Sequence, residues 1–375
     1  MSGYFANAHG APCPTLVLDG RGLPEETDEL LERLAAIRAD LGAGGAGHVL
    51  KNAIVRPSPH PLFDLDYRFV QSLPRSPSSF DLRGSCGHSI LAAVEAAARS
   101  GMIPPLVAGA RVRVNVLNNG DNVVCEVEEA ADGGTRFTAH FLCTPTKPVR
   151  ELLITGDPVT EVRVDRTVIP VSLVSMGNPY VFVPAGHLGV TSRQELFAAG
   201  DELFAQFGRI RLAVCEQQGW DASGAFPKIA AVLPEPGGAL AVRAVSVPSW
   251  HPTLALTGAI CLGTAVGIEG TVPWSLARAG GHRDGLVRLV TPGGELQVSA
   301  SSVLTDTGPR LAWVSVAGKQ VDYQGWAGLP ADRFDHPARN TSASTSTSTS
   351  ASDSASDSAS DSASAKELAC LSLSV

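Results

Sequence analysis

A thiol flanked by small residues opens the most chemically suggestive stretch of this chain. Gly84-Ser85-Cys86-Gly87-His88-Ser89 leads into an alanine-rich segment, and the pattern predicts a helix over roughly Gly87 to Ser100. A thiol at a helix N-terminus meets the positive end of the dipole and several free N–H donors. Its pKa then falls from about 8.5 toward neutrality. Such a group can take or give a proton near pH 7, and flanking glycines let a ligand approach the backbone closely. The alternative is a small core residue packed in a tight turn, and position alone weighs the two readings about equally.

Lys51 is the second candidate. It opens the predicted strand Lys51-Asn52-Ala53-Ile54-Val55, where an edge lysine facing solvent is the ordinary expectation. A partly desolvated lysine, however, has a lowered pKa and serves as a general base. Lys228 opens a matching segment and carries the same argument. His48, His88 and His251 show no ligand spacing such as HxxxH, and a lone histidine is more often structural. Asn178, in Met176-Gly177-Asn178-Pro179, reads first as a turn residue and second as a ligand contact.

These residues lie on elements that repeat. Lys51 begins K-N-A-I-V-R-P-S-P and Lys228 begins K-I-A-A-V-L-P-E-P. Each is followed by a β-rich segment (67–73 and 240–247), an apolar helix (87–100 and 257–266) and a hairpin. The first hairpin turns at Asn118-Asn119-Gly120-Asp121 and the second at Pro292-Gly293-Gly294. Upstream, a strand at 15–18 and a helix at 25–38 correspond to strands within 168–183 and a helix at 192–207. The expected fold class is therefore α+β with two similar, pseudo-symmetric domains, at 1–165 and 166–330. A cleft between like halves is a common binding site, and two helix N-termini aimed into it favour a carboxylate.

From 331 to 375 the sequence becomes a Ser/Thr/Asp-rich tail, expected to be disordered because it has little apolar surface to bury. The chain of 375 residues is 44% hydrophobic and 18% charged, with net charge −8. That balance argues against nucleic-acid and acidic-membrane partners. Seven cysteines at irregular spacing include no CxxC pair, so a zinc site or redox dithiol gains little support and a reducing, cytoplasmic setting fits best. No signal peptide or comfortable membrane span is evident. Gly42 to Gly47 spells GxGxxG, but after a helix and before a strand, so it reads as a loop. No GxxxxGK[ST], HExxH or GxSxG occurs.

Several motifs in order resemble the PrpF-type isomerases, which include methylaconitate and aconitate isomerases and share the diaminopimelate epimerase-like fold, a curved sheet or barrel around a central helix in each half. Gly44-Gly45-Ala46 with Lys51, Gly84-Ser85-Cys86-Gly87-His88, Gly177-Asn178-Pro179-Tyr180-Val181-Phe182-Val183, Pro227-Lys228-Ile229-Ala230, and His251 with Leu256-Thr257-Gly258-Ala259-Ile260-Cys261 carry the likeness, which spans most of residues 9–320.

The resemblance implies an isomerase without metal or cofactor, performing an allylic double-bond shift or cis–trans isomerisation on an unsaturated carboxylic acid. It implies Cys86 and Lys51 as the acid/base pair. It also implies substrate contacts at Ser85, Gly87, His88, Asn178, His251, Thr257, Gly258 and Ala259. The place of a second thiol reads Ala255, which disfavours a two-thiol racemase, and Cys261 reads as structural. Its partner is expected to be a small carboxylate, with a homodimer as the assembly. A non-catalytic binding protein on this scaffold, or a proton-driven step such as cyclisation, are the alternatives.

Departures from the pattern concern charge. The family's Arg-Gly-Gly-Thr-Ser-Lys is His9-Gly10-Ala11-Pro12-Cys13-Pro14 here, and its Arg-Thr-Ala-Arg is Lys319-Gln320-Val321-Asp322. Each lost charge-assisted hydrogen bond is worth roughly 1.5–3 kcal/mol. The expectation is a larger, less charged substrate, of the kind found in specialised metabolism.

Overall fold

A computed structural model describes residues 2–246 and 249–329 of the chain. The expected tail lies outside the described residues. The first half runs β1 (Gly3–Ala8), β2 (Thr15–Asp19), α1 (Thr27–Ala43), β3 (Lys51–Pro57), β4 (Leu65–Ser72), β5 (Phe80–Asp81), α2 (Gly87–Arg99), β6 (Arg111–Val116), β7 (Asn122–Ala131) and β8 (Gly134–Pro148). The second begins with β9 (Thr160–Val164), β10 (Thr167–Met176), β11 (Asn178–Pro184), α3 (Arg193–Ala198), α4 (Asp201–Gln218) and β12 (Lys228–Pro234). It ends with β13 (Leu240–Ser246), β14 (Ser249–Trp250), α5 (Leu256–Val266), α6 (Val272–Ala279), β15 (Val287–Thr291), β16 (Gly294–Thr305) and β17 (Gly308–Trp326).

The α+β class with two pseudo-symmetric halves holds. In the first, β1, β2, β3, β4, β6, β7, β8 and β17 pair in that order, and β17 returns to β1. The closed barrel leaves no free edge. In the second, β10 to β13, β15, β16, β17 and β8 follow the same alternation, and one bridge, Leu153 to Val174, leads back to β10. The long strand β17 thus serves both halves.

Each half wraps a buried helix. Residues 87–97 of α2 and all of α5 are buried; small Ala and Gly residues let strands approach from all sides, and the buried acid of α2, Glu95, pairs with Arg99 one turn on. Both helices belong to one continuous core that also holds Tyr67, Phe137, Phe141 and Tyr180. By contrast α1 is one-sided, burying Leu30, Leu34, Ile37 and Leu41 at helical spacing. A second core packs Leu203, Phe207, Ile210 and Val214 of α4 against the outer face of the second sheet.

Two local expectations need correction. The single helix expected at 192–207 is two helices. A capping box of Ser192 and Glu195 starts α3, and the chain breaks at Ala199-Gly200 before Asp201 and Glu202 begin α4 with acids in its first turn. The loop expected at 42–47 begins inside α1, which continues through Ala43 before turning at Gly44 and Gly45.

Candidate active site

Cys86 is the N-cap residue of α2, in extended conformation (φ −132°, ψ 106°), and is 9% exposed. Ala255 is the N-cap of α5, so the position that would carry a second thiol does carry alanine. The two helix starts touch. A Cβ placed on Gly87 would lie 2.8 Å from Leu256 Cβ and 2.6 Å from its Cδ2, so glycine is what permits this approach.

At that junction a small cavity of about 30 Å³, room for about one water, is bordered by Lys51, Ser85, Cys86, Phe226, Lys228, His251 and Ala255. Lys51 and Lys228 reach it from equivalent places. Each begins a strand that runs parallel to its neighbour, Lys51 beside Thr15 and Lys228 beside Tyr180. Among the described residues neither has an ion-pair partner.

The thiol loop is held from several sides. Asn178, fully buried at the start of β11, accepts from Ser85 N (3.2 Å) and donates to Ser85 O (2.9 Å) and Thr257 Oγ1 (3.2 Å). It ties the first half's thiol loop to the second half's helix. Tyr67 Oη donates to Cys86 O (3.2 Å), and the hydroxyls of Thr15 and Ser89 share a hydrogen bond (2.9 Å) that fixes α2 against β2. The cavity's carboxylate, Asp81, is neutralised by Arg83 (2.8 Å).

Electrostatics favour an ionised thiol. Burial alone would raise the Cys86 pKa, but the ammonium groups of Lys51 and Lys228, with Ser89, outweigh it and the pKa falls below the ordinary thiol value. Burial lowers Lys228, and Cys86 partly offsets this. His88 and His251 are pushed well below the usual histidine range by burial first and by nearby lysines second, so both rings are neutral at pH 7. His251 Nδ1 accepts from Thr253 N (3.1 Å), which leaves the ring proton on Nε2.

Of the residues singled out in the sequence, Lys51, Ser85, Cys86 and His251 border the cavity together with Lys228. Asn178 and Thr257 lie behind the thiol loop and hold it. Gly87 and Gly258 are at close approaches, where a Cβ on Gly258 would meet the Tyr180 hydroxyl at 2.6 Å, and Ala259 is fully buried in the core. His88 is fully buried, its ring stacked on His251 with centroids 5.9 Å apart. Cys261 is structural in its contacts: it bonds the backbone of Met176 and Asn178, and burial pushes its thiol up to about 12. Tyr67, Thr15 and Ser89 gave no sequence signal, because their partners lie on distant elements. In the altered N-terminal loop, His9 pairs with Asp322 at 2.6 Å.

Two sheet-wrapped helices meeting head to head beside one thiol and two lysines are the architecture of the diaminopimelate epimerase-like fold. A solved methylitaconate Δ-isomerase superposes with TM-score 0.62 at 23% identity, over 90% of this chain and 99% of that one. In sequence, the 3-methylitaconate isomerase of Eubacterium barkeri is 27% identical over 330 residues, 76% of this chain and 86% of that protein. The (4E)-oxalomesaconate Δ-isomerase of Novosphingobium sp. (strain KA1) is 30% identical over 251 residues, 61% of this chain and 69% of that protein. Residues 35–327 match the PrpF protein family, and the chain belongs to it. Among the described residues no helix is long and apolar enough to cross a membrane.

Proposed function

We propose that this isomerase moves a carbon–carbon double bond in an unsaturated carboxylic acid by a 1,3 proton shift, using its own side chains as acid and base. The observation that carries the reading is the single cavity shared by Cys86, at the head of a buried helix, and the unpaired ammonium of Lys51. The Cys86 thiolate takes a proton from the allylic carbon. The electron pair left behind delocalises through the double bond toward the carboxylate, and the facing helix N-termini stabilise that charge. Lys51 then donates a proton to the far carbon of the allyl unit, so the double bond moves and no atom is gained or lost. Proton return from thiol to amine through solvent resets the pair.

The names of the relatives support this substrate class: methylitaconate and oxalomesaconate are unsaturated acids. A binding-only role gives no reason for two ammonium groups to be aimed at a depressed thiol. The test is proton NMR of methylitaconate incubated with the protein in deuterium oxide. Deuterium should enter the allylic positions with wild type and fail to enter with Cys86→Ser or Lys51→Met, both still folded by circular dichroism. Undiminished exchange in both variants would overturn the assignment.

A further inference from the structure

The cavity beside Cys86 has room for about one water, so no organic acid reaches the thiol while every wall stays in place. Its inner walls are set in the core: Lys51, Ser85, Cys86 and His251 are all buried. The rim is different. Leu73 and Pro74 of the first half and Phe226 of the second border the same cavity and are all at least partly exposed.

An arginine on the outer helix of each half clasps the lip of that half. Arg38 of α1 donates to the carbonyls of Leu73 (2.9 Å), Ser76 (2.7 Å) and Pro77 (3.2 Å). Arg211 of α4 donates to the carbonyls of Ala222 (2.8 Å), Phe226 (3.0 Å), Pro227 (3.0 Å) and Gly224. Residues 222–227 belong to no strand or helix, and the planar fork of one guanidinium gathers their carbonyls instead. Across the seam the hold is slighter. Ala225 N donates to Asp81 Oδ2 at 3.4 Å, and the Phe226 ring rests on Gly84. A Cβ on Gly84 would stand 2.6 Å from Phe226 Cε2, so glycine two residues before the thiol leaves the notch in which the ring sits.

We infer that Phe226 is the gate of this site and Arg211 the residue that positions it: the backbone of residues 222–227 stays on α4 while the ring turns out of the Gly84 notch to admit substrate. The ring is held by that packing contact and by the Lys228 ammonium, 5.7 Å from its centroid, a weak attraction. Its backbone is held by charge-assisted bonds, which are stronger, and shifting the segment would break four of them. Rotation of a rim side chain is therefore the easiest motion that uncovers Cys86. The gate belongs to the site of the isomerase reading, but it is tested by access to the thiol, without turnover.

The experiment is alkylation of the full chain by iodoacetamide, followed at the Cys86 peptide by mass spectrometry. Rates are compared on the high-pH plateau, where the thiol is fully ionised and a shift in its pKa cancels. The wild-type rate is the free rate multiplied by the open fraction, and an open state populated to about 10% or less makes Phe226→Ala faster by about tenfold or more. Arg211→Met should also quicken the reaction, and should add nothing in a Phe226→Ala background, because Arg211 acts through the ring. Cys125 and Cys261, deep in the core, should stay unreacted in every variant. An unchanged rate in Phe226→Ala, or a gain shared by all three cysteines, overturns the gate. A further gain from Arg211→Met on Phe226→Ala overturns the role of Arg211; should Arg211→Met not fold, Phe226→Ala decides alone. A gated thiol with Cys86→Ser still exchanging deuterium would sink the proton-shift reading and leave the gate standing. An ungated thiol with exchange abolished in Cys86→Ser would do the reverse.

Discussion

Lys51 and Lys228 occupy the same station in the two halves: each is the first residue of a strand parallel to its neighbour, and each borders the cavity of Cys86. Their helices do not match in the same way, since one begins at a thiol and the other at Ala255. The duplication therefore gives two ammonium groups to one thiol, an asymmetric acid–base set in a symmetric frame.

The first prediction concerns that thiol. Alkylation by iodoacetamide, followed peptide by peptide with mass spectrometry, should show Cys86 reacting with a midpoint below the ordinary thiol value. Cys125 and Cys261, pushed up to about 12 by burial, should stay inert. Lys228→Met should raise the Cys86 midpoint, because it removes one of the charges that favour the thiolate. Each unit of rise costs about tenfold in thiolate at pH 7. A Lys228→Met protein alkylating at the wild-type rate across pH 6–9 would mean that Lys228 does not act on Cys86.

The second prediction follows from Lys319, which burial lowers from 10.5 to about 8. Between those values the unfolded chain binds the proton more readily than the folded one, so stability rises with pH across the window. Below pH 8 the folded protein carries a buried, unpaired cation. Urea unfolding at pH 7 should find Lys319→Met more stable than wild type, by on the order of 1–3 kcal/mol. The difference should shrink as pH rises from 8 to 10.5. His88 and His251, also depressed, add a loss of stability as pH falls below 6.5. A less stable Lys319→Met would show that the ammonium has an internal partner.

How much of this was legible in the sequence depends on whether the signal is local. The repeated K-x-A-x-V-x-P-x-P placed Lys51 and Lys228, and the Gly-Ser-Cys-Gly start placed Cys86 at its helix N-terminus, because strand starts and helix starts are written in neighbouring residues. Barrel closure is not. Tyr4 pairs with Trp326, and nothing near either residue announces the other. The thiol loop's supports are hidden for the same reason: Asn178 holds Ser85 across 93 positions and Ser89 meets Thr15 across 74. Lys319 stands where the resemblance has an arginine, and alternation through Val314 and Val316 would face it outward; the register slip at Gly318 that buries it leaves no mark in the local sequence pattern.

Asn178 gives a third prediction. Its amide satisfies both backbone groups of Ser85 and the hydroxyl of Thr257, with no solvent contact. Asn178→Ala orphans buried donors and acceptors, each worth about 1–3 kcal/mol. Asn178→Asp is worse, because it sets a carboxylate oxygen against Ser85 O. Urea denaturation should rank wild type, alanine and aspartate in descending stability. Alkylation of Cys86 should slow in Asn178→Ala as the loop loses its fixed geometry. Equal stability of wild type and aspartate variants would mean that the clamp is not formed.

The fourth prediction addresses the meeting of the two helices. A methyl group on Gly87 has no space, with Leu256 Cβ only 2.8 Å from where it would stand. Gly87→Ala must push α2 from α5 and widen the junction beside Cys86. Overpacking of this kind costs about 1–3 kcal/mol. The displacement also moves the thiol from the ammonium groups, so deuterium exchange should fall more than stability alone would suggest. Leu256→Ala opens a space on the facing helix, at a cost of its own of about 2–5 kcal/mol. If the two residues meet as described, the double variant is more stable and more active than the sum of the single changes, a coupling of about 0.5–3 kcal/mol. Strict additivity in urea unfolding would show that the helix starts do not touch. The shared cavity that joins Cys86 to both lysines would then lose the contact that brings its two halves together.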